Sequence, residues 1–456
     1  MEIRGMIYHR KFKVAIIFIT CLFLIFIFKA YWISRNIIYP HIKVYGVEIG
    51  NLTREQAKVK LAENIGKIIG EKSLVFSYQE EKWKIPYRDF NIQYDIEKTV
   101  DQAYYLGRDG NLLDKIRTYF QFRNQEKKLP LEISMDSNKI QKIIDQLEEK
   151  VNIKAEDAQI ELKDQQIKIL SEKTGRMLEE KKLEEIIREY LQFSKEQTIE
   201  LPVKEVVPKI TQEILNTINE KIASFSTNFN PQAKERVENL RIASDMTDGK
   251  ILLPGEIFSV NKTIGPITKA NGYKDAPVIV NGRLQSDVGG GVCQVSTTLY
   301  NAVVRANLEI VERQHHSMPV SYVPLGQDAA IAGDWKDFKF KNNSDYPIYI
   351  EMYIENNQII ANLYSNKELK QEISLETEII LTISPKTIYQ RDSSKDITYK
   401  KVEREGKSGY QVHVYKVLYK NGKVIQRELL HKDYYQPVDK LMVVGTKGET
   451  IERILE

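Results

Sequence analysis

The chain has 456 residues, enough for two to four domains, and its 42% hydrophobic content suits globular domains rather than disorder. The formal net charge of +4 is nearly balanced, which argues against a nucleic-acid-binding protein.

An apolar run near the N-terminus predicts a membrane anchor. Residues 14–28 carry no charge and are apolar except for Thr20, and residues 30–33 extend the run beyond Lys29 to roughly the 20 residues that cross a bilayer. Four basic residues come first, so residues 1–13 are expected in the cytoplasm and the bulk of the chain outside the cell. No small-residue cleavage site is present, which favours a retained single-pass anchor over residues 14–33.

Residues 36–205 alternate predicted hairpins with helices. Thr53 and Gln56 form a capping box at the start of one helix. Strand pairs are predicted at 74–87 and 158–170, and each is followed by a loop and a helix. The pattern indicates a weak internal duplication of an α+β unit.

The rest of the chain divides at about residue 370. Residues 210–365 are rich in glycine, proline and small residues, and they contain Cys293. Residues 370–456 predict a small all-β module with a thin core, including a hairpin turned at Asn421–Gly422. The expected fold class is therefore α+β multidomain, with a transmembrane helix at one end and an all-β module at the other.

Cys293 is the only cysteine of the expected exported part, because Cys21 lies in the predicted anchor. It stands in DVGGGVCQVSTTLYN, residues 287–301. After it, Val295, Leu299, Val303 and Ala306 share one helical face and are expected to be core. The helix would begin near Cys293, where free backbone N–H groups could hold an oxyanion and three glycines would allow close approach.

A helix N-terminus is too weak to activate the thiol alone, since it contributes roughly 0.3–1 kcal/mol and one pKa unit takes about 1.4 kcal/mol. A neighbouring imidazolium would do more. His315 and His316 follow on a predicted strand, where adjacent side chains point to opposite faces, so only one can face Cys293. The residues alone do not identify the acid that would orient this histidine. The candidates are Asp328, Asp334, Asp337 and Asp287.

Plainer interpretations of these residues exist. A cysteine after glycines is often just a small residue at a tight helix–loop contact. The two histidines could lie on the surface or bind a metal, although two histidines and one cysteine fit zinc poorly. The glycines are a weak phosphate signal, since no Gly-Lys-Ser/Thr follows.

Four separated motifs within residues 225–352 resemble the VanW domain: RIASDMTDGKILLPGEIFSVNKTIGP, DVGGGVCQVSTTLYNA, HHSMPVSYVPLGQDAAI and DFKFKNNSDYPIYI. Residues 60–200, with YLGRDGNLLDKI and EKTGR, resemble the peptidoglycan-binding domain found ahead of VanW domains. Residues 375–450 resemble the G-five domain, a β module linked to cell-wall sugars.

The resemblance implies a peptidoglycan L,D-transpeptidase with a cysteine nucleophile and without metal or organic cofactor. Cys293 matches the family cysteine, the pair His316–Ser317 matches the family His-Ser pair, and Arg313 and Asp328 match further motif positions. The catalytic candidates are Cys293, His316 and Asp328. The substrate-binding candidates are Gly290, Gly291, Gln294, Arg313 and Ser317.

The expected partners are peptidoglycan stem peptides and glycan, and the membrane through the anchor, with no nucleic acid. Nothing in the sequence specifies an oligomeric state. Two other classes remain open: a non-catalytic wall-binding protein with a packed cysteine, and an accessory factor of glycopeptide resistance or envelope assembly.

Overall fold

The structure, a computed structural model, describes residues 2–33, 36–163, 166–193, 195, 197–280 and 283–447. The chain forms two compact units. The first comprises Met1–Glu156 and Lys173–Pro208, and the second comprises Asp157–Glu172 and Lys209–Glu456.

The described residues mix helices with strands as expected. The helices are α1 Glu2–Ile33, α2 Arg54–Glu71, α3 Ile96–Tyr105, α4 Leu112–Asn124, α5 Ser137–Val151, α6 Glu180–Phe193, α7 Gln212–Leu215, α8 Lys234–Thr247, α9 Val260–Ile264 and α10 Val292–Arg305. The earlier strands are β1 Ile42–Val44, β2 Val47–Glu48, β3 Ser73–Tyr78, β4 Glu81–Pro86, β5 Gln93–Tyr94, β6 Lys127–Leu129, β7 Ile133–Ser134, β8 Gln159–Lys163, β9 Gln166–Leu170, β10 Gly175–Leu178, β11 Ile199–Glu200 and β12 Val203–Val206. The later strands are β13 Glu220–Asn228, β14 Lys250–Leu252, β15 Ile257–Ser259, β16 Asp275–Val280, β17 Arg283–Val288, β18 Glu309–Glu312, β19 Lys339–Lys341, β20 Ile348–Glu355, β21 Gln358–Ser365, β22 Glu372–Ile383, β23 Thr387–Asp396, β24 Lys400–Arg404, β25 Gly409–Lys420, β26 Lys423–Tyr435 and β27 Lys440–Lys447.

The membrane anchor predicted over residues 14–33 is not found. These residues belong to α1, but none of the helices in the described ranges is both long and apolar enough to cross a bilayer. The stretch without a charged residue before Lys29 covers only residues 14–28, and at about 1.5 Å per residue it spans roughly 22 Å of a hydrocarbon core about 30 Å thick. The prediction was wrong because it counted residues beyond Lys29 as part of the span. The membrane partner, which depended on this anchor, loses its support.

Short strands and amphipathic helices build the first unit. The capping box is confirmed, because Gln56 donates its backbone N–H to Thr53 Oγ1 at 3.3 Å and Thr53 N–H donates to Gln56 Oε1 at 3.0 Å. Strand β3 pairs with β4 antiparallel and with β11 parallel. The core gathers one face each of α2, α3, α5 and α6, with Leu61, Val100, Ile140, Leu147, Leu183 and Ile187 buried.

Both predicted hairpins form, as β3–β4 and β8–β9. They belong to different units, and only β3–β4 extends into a larger sheet. The β8–β9 hairpin belongs to the second unit, where its residues Ile160 and Ile169 pack beside Tyr349 and Tyr364. The alternating pattern therefore identified two hairpins, but they are not equivalent parts of one repeated fold.

Helix α10 is the centre of the second unit. It packs on β13 and β21, which belong to the four-stranded sheet β13-β21-β20-β14, and it also contacts α8. The predicted core face is confirmed, since Val295, Leu299, Val303 and Ala306 are all buried. Cys293 is half-buried at the start of this otherwise buried helix.

Residues 372–447 form the described part of the predicted β module, and residues 448–456 of that prediction lie outside the described residues. Two three-stranded sheets, β22-β25-β26 and β23-β27-β24, contain them, and the turn at Asn421–Gly422 has the two positive φ angles of a type I′ hairpin, 52° and 71°. Its core is thin, as expected. Leu375, Val412, Val414 and Tyr435 join the same buried cluster as α10, so the module is continuous with the main core.

Candidate functional site

A glycine turn leads from β17 into α10 and places Cys293 in the first helical turn. Gly291, the N-cap, has φ +113°, a conformation that side-chain-bearing residues rarely adopt. A Cβ on Gly290 would lie 2.4 Å from the carbonyl oxygen of Ala276 in β16. The protein's own backbone thus requires these glycines. Of the two, Gly291 lines the groove at Cys293.

Polar side chains of α10 hold a second segment against the helix. Ser296 Oγ donates to Ala329 O at 2.6 Å, and Ala329 N donates to Thr297 Oγ1 at 3.0 Å. One turn later, Asn301 Nδ2 donates to Gln327 O at 2.7 Å. These contacts on either side of residue 328 fix the segment beside α10. At its end, Ile331 O lies 3.4 Å from Cys293 Sγ.

His316, rather than His315, is the partner of the thiol. Strand β18 ends at Glu312, so the histidines lie in a loop and not on the expected strand, but their rings still diverge. His316, unlike His315, lines the same groove as Cys293 and lowers the pKa of its thiol, whereas Cys293 Sγ donates its hydrogen bond to Ile331 O. His315 Nδ1 bonds the carbonyl of His316 at 2.6 Å, and its ring packs edge-on against Tyr435.

Asp328 is the acid behind His316. Its Oδ2 accepts from His316 Nδ1 at 2.6 Å and from the His316 backbone N–H at 2.7 Å. An ionised carboxylate only accepts, so Nδ1 carries a proton and Nε2 is the nitrogen left for Cys293.

The other candidate acids are engaged elsewhere or exposed. Asp337 accepts from Ser259 Oγ at 2.6 Å and from Asn261 N–H at 3.0 Å. Asp334 and Asp287 are exposed. The structure thus leaves Asp328 as the acid in contact with His316.

The three groups shift one another's pKa values. Burial raises the pKa of the Cys293 thiol, but the positive charge of the neighbouring His316, together with the contact to Ile331 O and the charge of Arg236, outweighs burial and lowers the pKa below its ordinary value. Burial lowers the pKa of His316, but Asp328 and Cys293 raise it to about 9. The His316 imidazolium and Arg313 hold the pKa of Asp328 well below its usual range despite burial. Together these shifts favour a thiolate–imidazolium pair.

Arg313 lies behind Asp328 and does not line the groove at Cys293. It donates from Nε to Asp328 O at 2.7 Å and from Nη2 to Gly326 O at 3.0 Å, and it forms an ion pair with Asp433 at 2.7 Å. Only 7% of its side chain is exposed. The contacts fit a role in positioning the acid rather than binding a substrate.

Strand β26 of the C-terminal β module completes the environment of the acid. Tyr435 Oη donates to Asp328 Oδ1 at 2.6 Å and accepts from Gly326 N–H at 2.9 Å. His431 lies between Tyr300 Oη and Arg313. Residues 370–456 were predicted as a separate module, so the sequence predictions missed both Tyr435 and His431, because no local pattern links residues so distant along the chain.

A groove of about 1390 Å³ opens in front of Cys293. Cys293, His316, Ser317 and Trp335 are among the residues that line it. Gln294 does not, because its side chain is buried and bonded to Thr227 Oγ1, Asn228 O and Arg236. The structure therefore brings Cys293, His316, Asp328, Ser317 and Gly291 to one site and places Gln294, Gly290 and Arg313 in its support.

The comparisons with known proteins confirm the family resemblance. Residues 235–364 match the family described as "VanW like protein", residues 83–200 the family described as "Putative peptidoglycan binding domain", and residues 375–447 the "G5 domain". The chain is thus VanW-like and carries a peptidoglycan-binding-type and a G5 domain. Cys293, His316 and Asp328 lie in the first match, and Tyr435 lies in the last.

Two curated relatives match over part of their length. A Bacillus subtilis (strain 168) protein described as "Uncharacterized protein YoaR" is 39% identical over 176 residues, covering 38% of this chain and 58% of that protein. The "Vancomycin B-type resistance protein VanW" of Enterococcus faecalis (strain ATCC 700802 / V583) is 30% identical over 177 residues, covering 38% and 62%. The chain therefore spans about three fifths of each relative. The solved "IgA1 Protease G5 domain structure" is 24% identical, covering 17% of this chain and 94% of that one, with a TM-score of 0.14.

Proposed function

We propose that this chain is a cysteine acyltransferase of peptidoglycan, an L,D-transpeptidase that joins stem peptides. One observation carries the proposal: a half-buried thiol shares an open groove with a histidine whose Nδ1 is held by a buried aspartate and whose charge lowers the pKa of the thiol. Such a trio supplies a nucleophile, a proton carrier and an orienting acid. The peptidoglycan-binding-type match supports the choice of substrate.

In the first step, the Cys293 thiolate attacks the carbonyl carbon of the third residue of a tetrapeptide stem. The C–N bond to the terminal D-Ala breaks, and His316 donates its Nε2 proton to the leaving amine. A thioester on Sγ and free D-Ala result. Asp328 keeps the ring oriented and stabilises its charged form.

In the second step, a side-chain amine from another stem attacks the thioester. His316 takes a proton from this amine, the C–S bond breaks, and the Cys293 thiolate re-forms. The product is an amide between two third-position residues. Water in place of the amine would give hydrolysis by the same route.

The start of α10 offers a donor for the oxyanion. Val292 N–H and Gln294 N–H donate to Gly289 O and Gly291 O. For Cys293 N–H, no acceptor occurs in the described part of the chain. This amide is therefore free to donate to the negative oxygen that develops beside Sγ.

A second candidate is a non-catalytic wall-binding or resistance-accessory protein. Two observations favour it: the peptidoglycan-binding-type match over residues 83–200, and the relative whose description names vancomycin resistance. In this alternative, Cys293 serves only to pack the start of α10.

The test is incubation of the full chain with a disaccharide-tetrapeptide, followed by mass spectrometry of the products and of the protein. Cys293→Ala is the test variant, and Cys21→Ala is the matched control, because Cys21 is exposed on α1 in the other unit. We expect D-Ala release, a dimeric product and an acyl adduct that require Cys293 but not Cys21. Retention on isolated wall without any adduct or turnover would favour the non-catalytic candidate.

A further inference from the structure

Trp335 is unusually exposed for its size. Its relative exposure is 88%, the highest among the large exposed hydrophobic residues of the described ranges, and it lines the same groove as Cys293. Tryptophan normally buries most of its surface, so an indole left in water at the rim of a groove points to a ligand.

The turn that carries Trp335 is tied down at both ends. Ala332 N–H donates to Lys336 O at 2.9 Å, and Trp335 N–H donates to Ala332 O at 3.0 Å. From outside the turn, Asn261 Nδ2 donates to Gly333 O at 2.5 Å and to Lys336 O at 2.8 Å. The indole is therefore presented by a preorganised turn, which lowers the entropy lost when a ligand binds.

The same segment fixes how far Trp335 can lie from the thiol. Ile331, four residues earlier, touches Cys293 Sγ through its carbonyl oxygen. A chain extends at most about 3.3–3.6 Å per residue, so the Trp335 backbone lies within roughly 14 Å of Ile331.

We propose that Trp335 is a stacking platform for the amino-sugar ring that carries the stem peptide. This inference rests on the proposed function. In a stem attacked at its third residue, about three residues separate the sugar from the reacting carbonyl, roughly 10 Å when extended. That length fits between Cys293 and the turn. The C–H face of a pyranose packs on the negative face of an indole, while its hydroxyls stay in water.

A lipid surface is the other common partner of an exposed tryptophan. Interfacial membrane segments present several apolar side chains together. In the turn, Trp335 is accompanied by exposed Ala332, Gly333 and Asp334, so it is the only large apolar side chain there. These neighbours favour one sugar ring over a membrane.

Binding can be measured without turnover. The chain has three tryptophans, so the indole N–H resonance that disappears in Trp335→Phe identifies Trp335. The probe is the peptide-free disaccharide of N-acetylglucosamine and N-acetylmuramic acid, added to the full chain carrying Cys293→Ala. We expect the Trp335 resonance to shift and saturate. An unmoved resonance at saturating disaccharide, or one that responds only to vesicles of equal parts phosphatidylcholine and phosphatidylglycerol, would overturn the proposal.

Enzyme kinetics test the contact between Trp335 and the sugar ring during turnover. For disaccharide-tetrapeptide, Trp335→Ala should raise KM about tenfold and change kcat less than twofold, whereas free tetrapeptide should show no difference from the unsubstituted chain. Tyr389→Ala is the matched control, because Tyr389 is 63% exposed on β23, and it should leave both substrates unchanged. Equal KM values for Trp335→Ala and the unsubstituted chain would overturn the proposal.

The two readouts separate this proposal from the acyl transfer. A shift of the Trp335 resonance without any D-Ala release would support the platform and reject the enzyme. D-Ala release with an unmoved Trp335 resonance and an unchanged KM would support the enzyme and reject the sugar platform.

Discussion

Helix α10 and strand β26 support the same carboxylate in different ways. Helix α10 is buried almost throughout, and its polar side chains hold the segment around Asp328 from both sides. Strand β26 is mostly exposed and buries only Asp433 and Tyr435, which reach the network around Asp328 together with the half-buried His431. The comparison teaches that dense packing places the nucleophile, whereas a few long-range polar contacts from a thin module hold the acid.

The largest loss of activity is expected at Asp328, the carboxylate that both α10 and β26 support. Asp328→Asn removes the charged acceptor of His316 Nδ1 and should lower kcat/KM for D-Ala release about 10³-fold. Asp345→Asn, at an exposed position that does not line the groove, is the control and should change it less than twofold. Thermal melting of each variant checks folding. A folded Asp328→Asn chain within tenfold of full activity would show that the acid is not needed.

The reactivity of the Cys293 thiol should depend on His316 and not on His315. In a Cys21→Ala background, alkylation of Cys293 should remain fast below the ordinary thiol pKa and slow only as the pH falls through the lowered pKa. His316→Gln leaves burial but removes the charge, so the pKa rises and the rate at pH 7 should fall roughly 10- to 100-fold. His315→Gln is the control. Equal rates for His316→Gln and the control would contradict the thiolate–imidazolium pair.

The contribution of β26 is tested by Tyr435→Phe. The substitution removes the hydroxyl between Asp328 Oδ1 and Gly326 N–H, so the free energy of unfolding should fall by about 1–2 kcal/mol. Activity should fall roughly tenfold, with a shift in its pH profile that lost stability alone would not produce. Tyr434→Phe, which is exposed on the same strand, should change neither quantity. If both variants behave alike, β26 only packs against the site.

The smallest effect on stability and activity is expected for Ser296 of helix α10. Ser296→Ala removes one hydrogen bond to Ala329 O and should lower the free energy of unfolding by about 1 kcal/mol, measured by urea denaturation. Activity should fall less than threefold, because Thr297 and Asn301 still hold the segment. Ser394→Ala, at an exposed position of β23, serves as control. A loss as large as that of Tyr435→Phe would remove the distinction between the two elements.

Several features of the site could be predicted from sequence. The glycine turn and the spacing of Val295, Leu299 and Val303 placed Cys293 at a helix start, because these signals lie within one turn of chain. The family motifs favoured His316 over His315. The residues alone could not make that choice, since the expected strand ends at Glu312 and the rings diverge only in the folded loop.

The remaining features needed the fold. The prediction of a membrane anchor over residues 14–33 was wrong because the apolar residues before and after Lys29 were counted as one membrane span. Arg313 and Gln294 were predicted as substrate-binding candidates, but the structure engages their donors with protein partners. Isolated sequence motifs do not reveal whether a polar side chain is already satisfied by another part of the chain.

Local sequence patterns predicted where the helix that carries Cys293 begins, where the thin β module lies and which family motifs the chain contains. Those features depend on neighbours a few residues apart. The family motifs had also pointed to Asp328, but its contact with His316 and the bond from Tyr435, 107 residues later, are visible only in the folded chain. Such a contact depends on how α10 and β26 pack into one core, and residue patterns within either element do not record it.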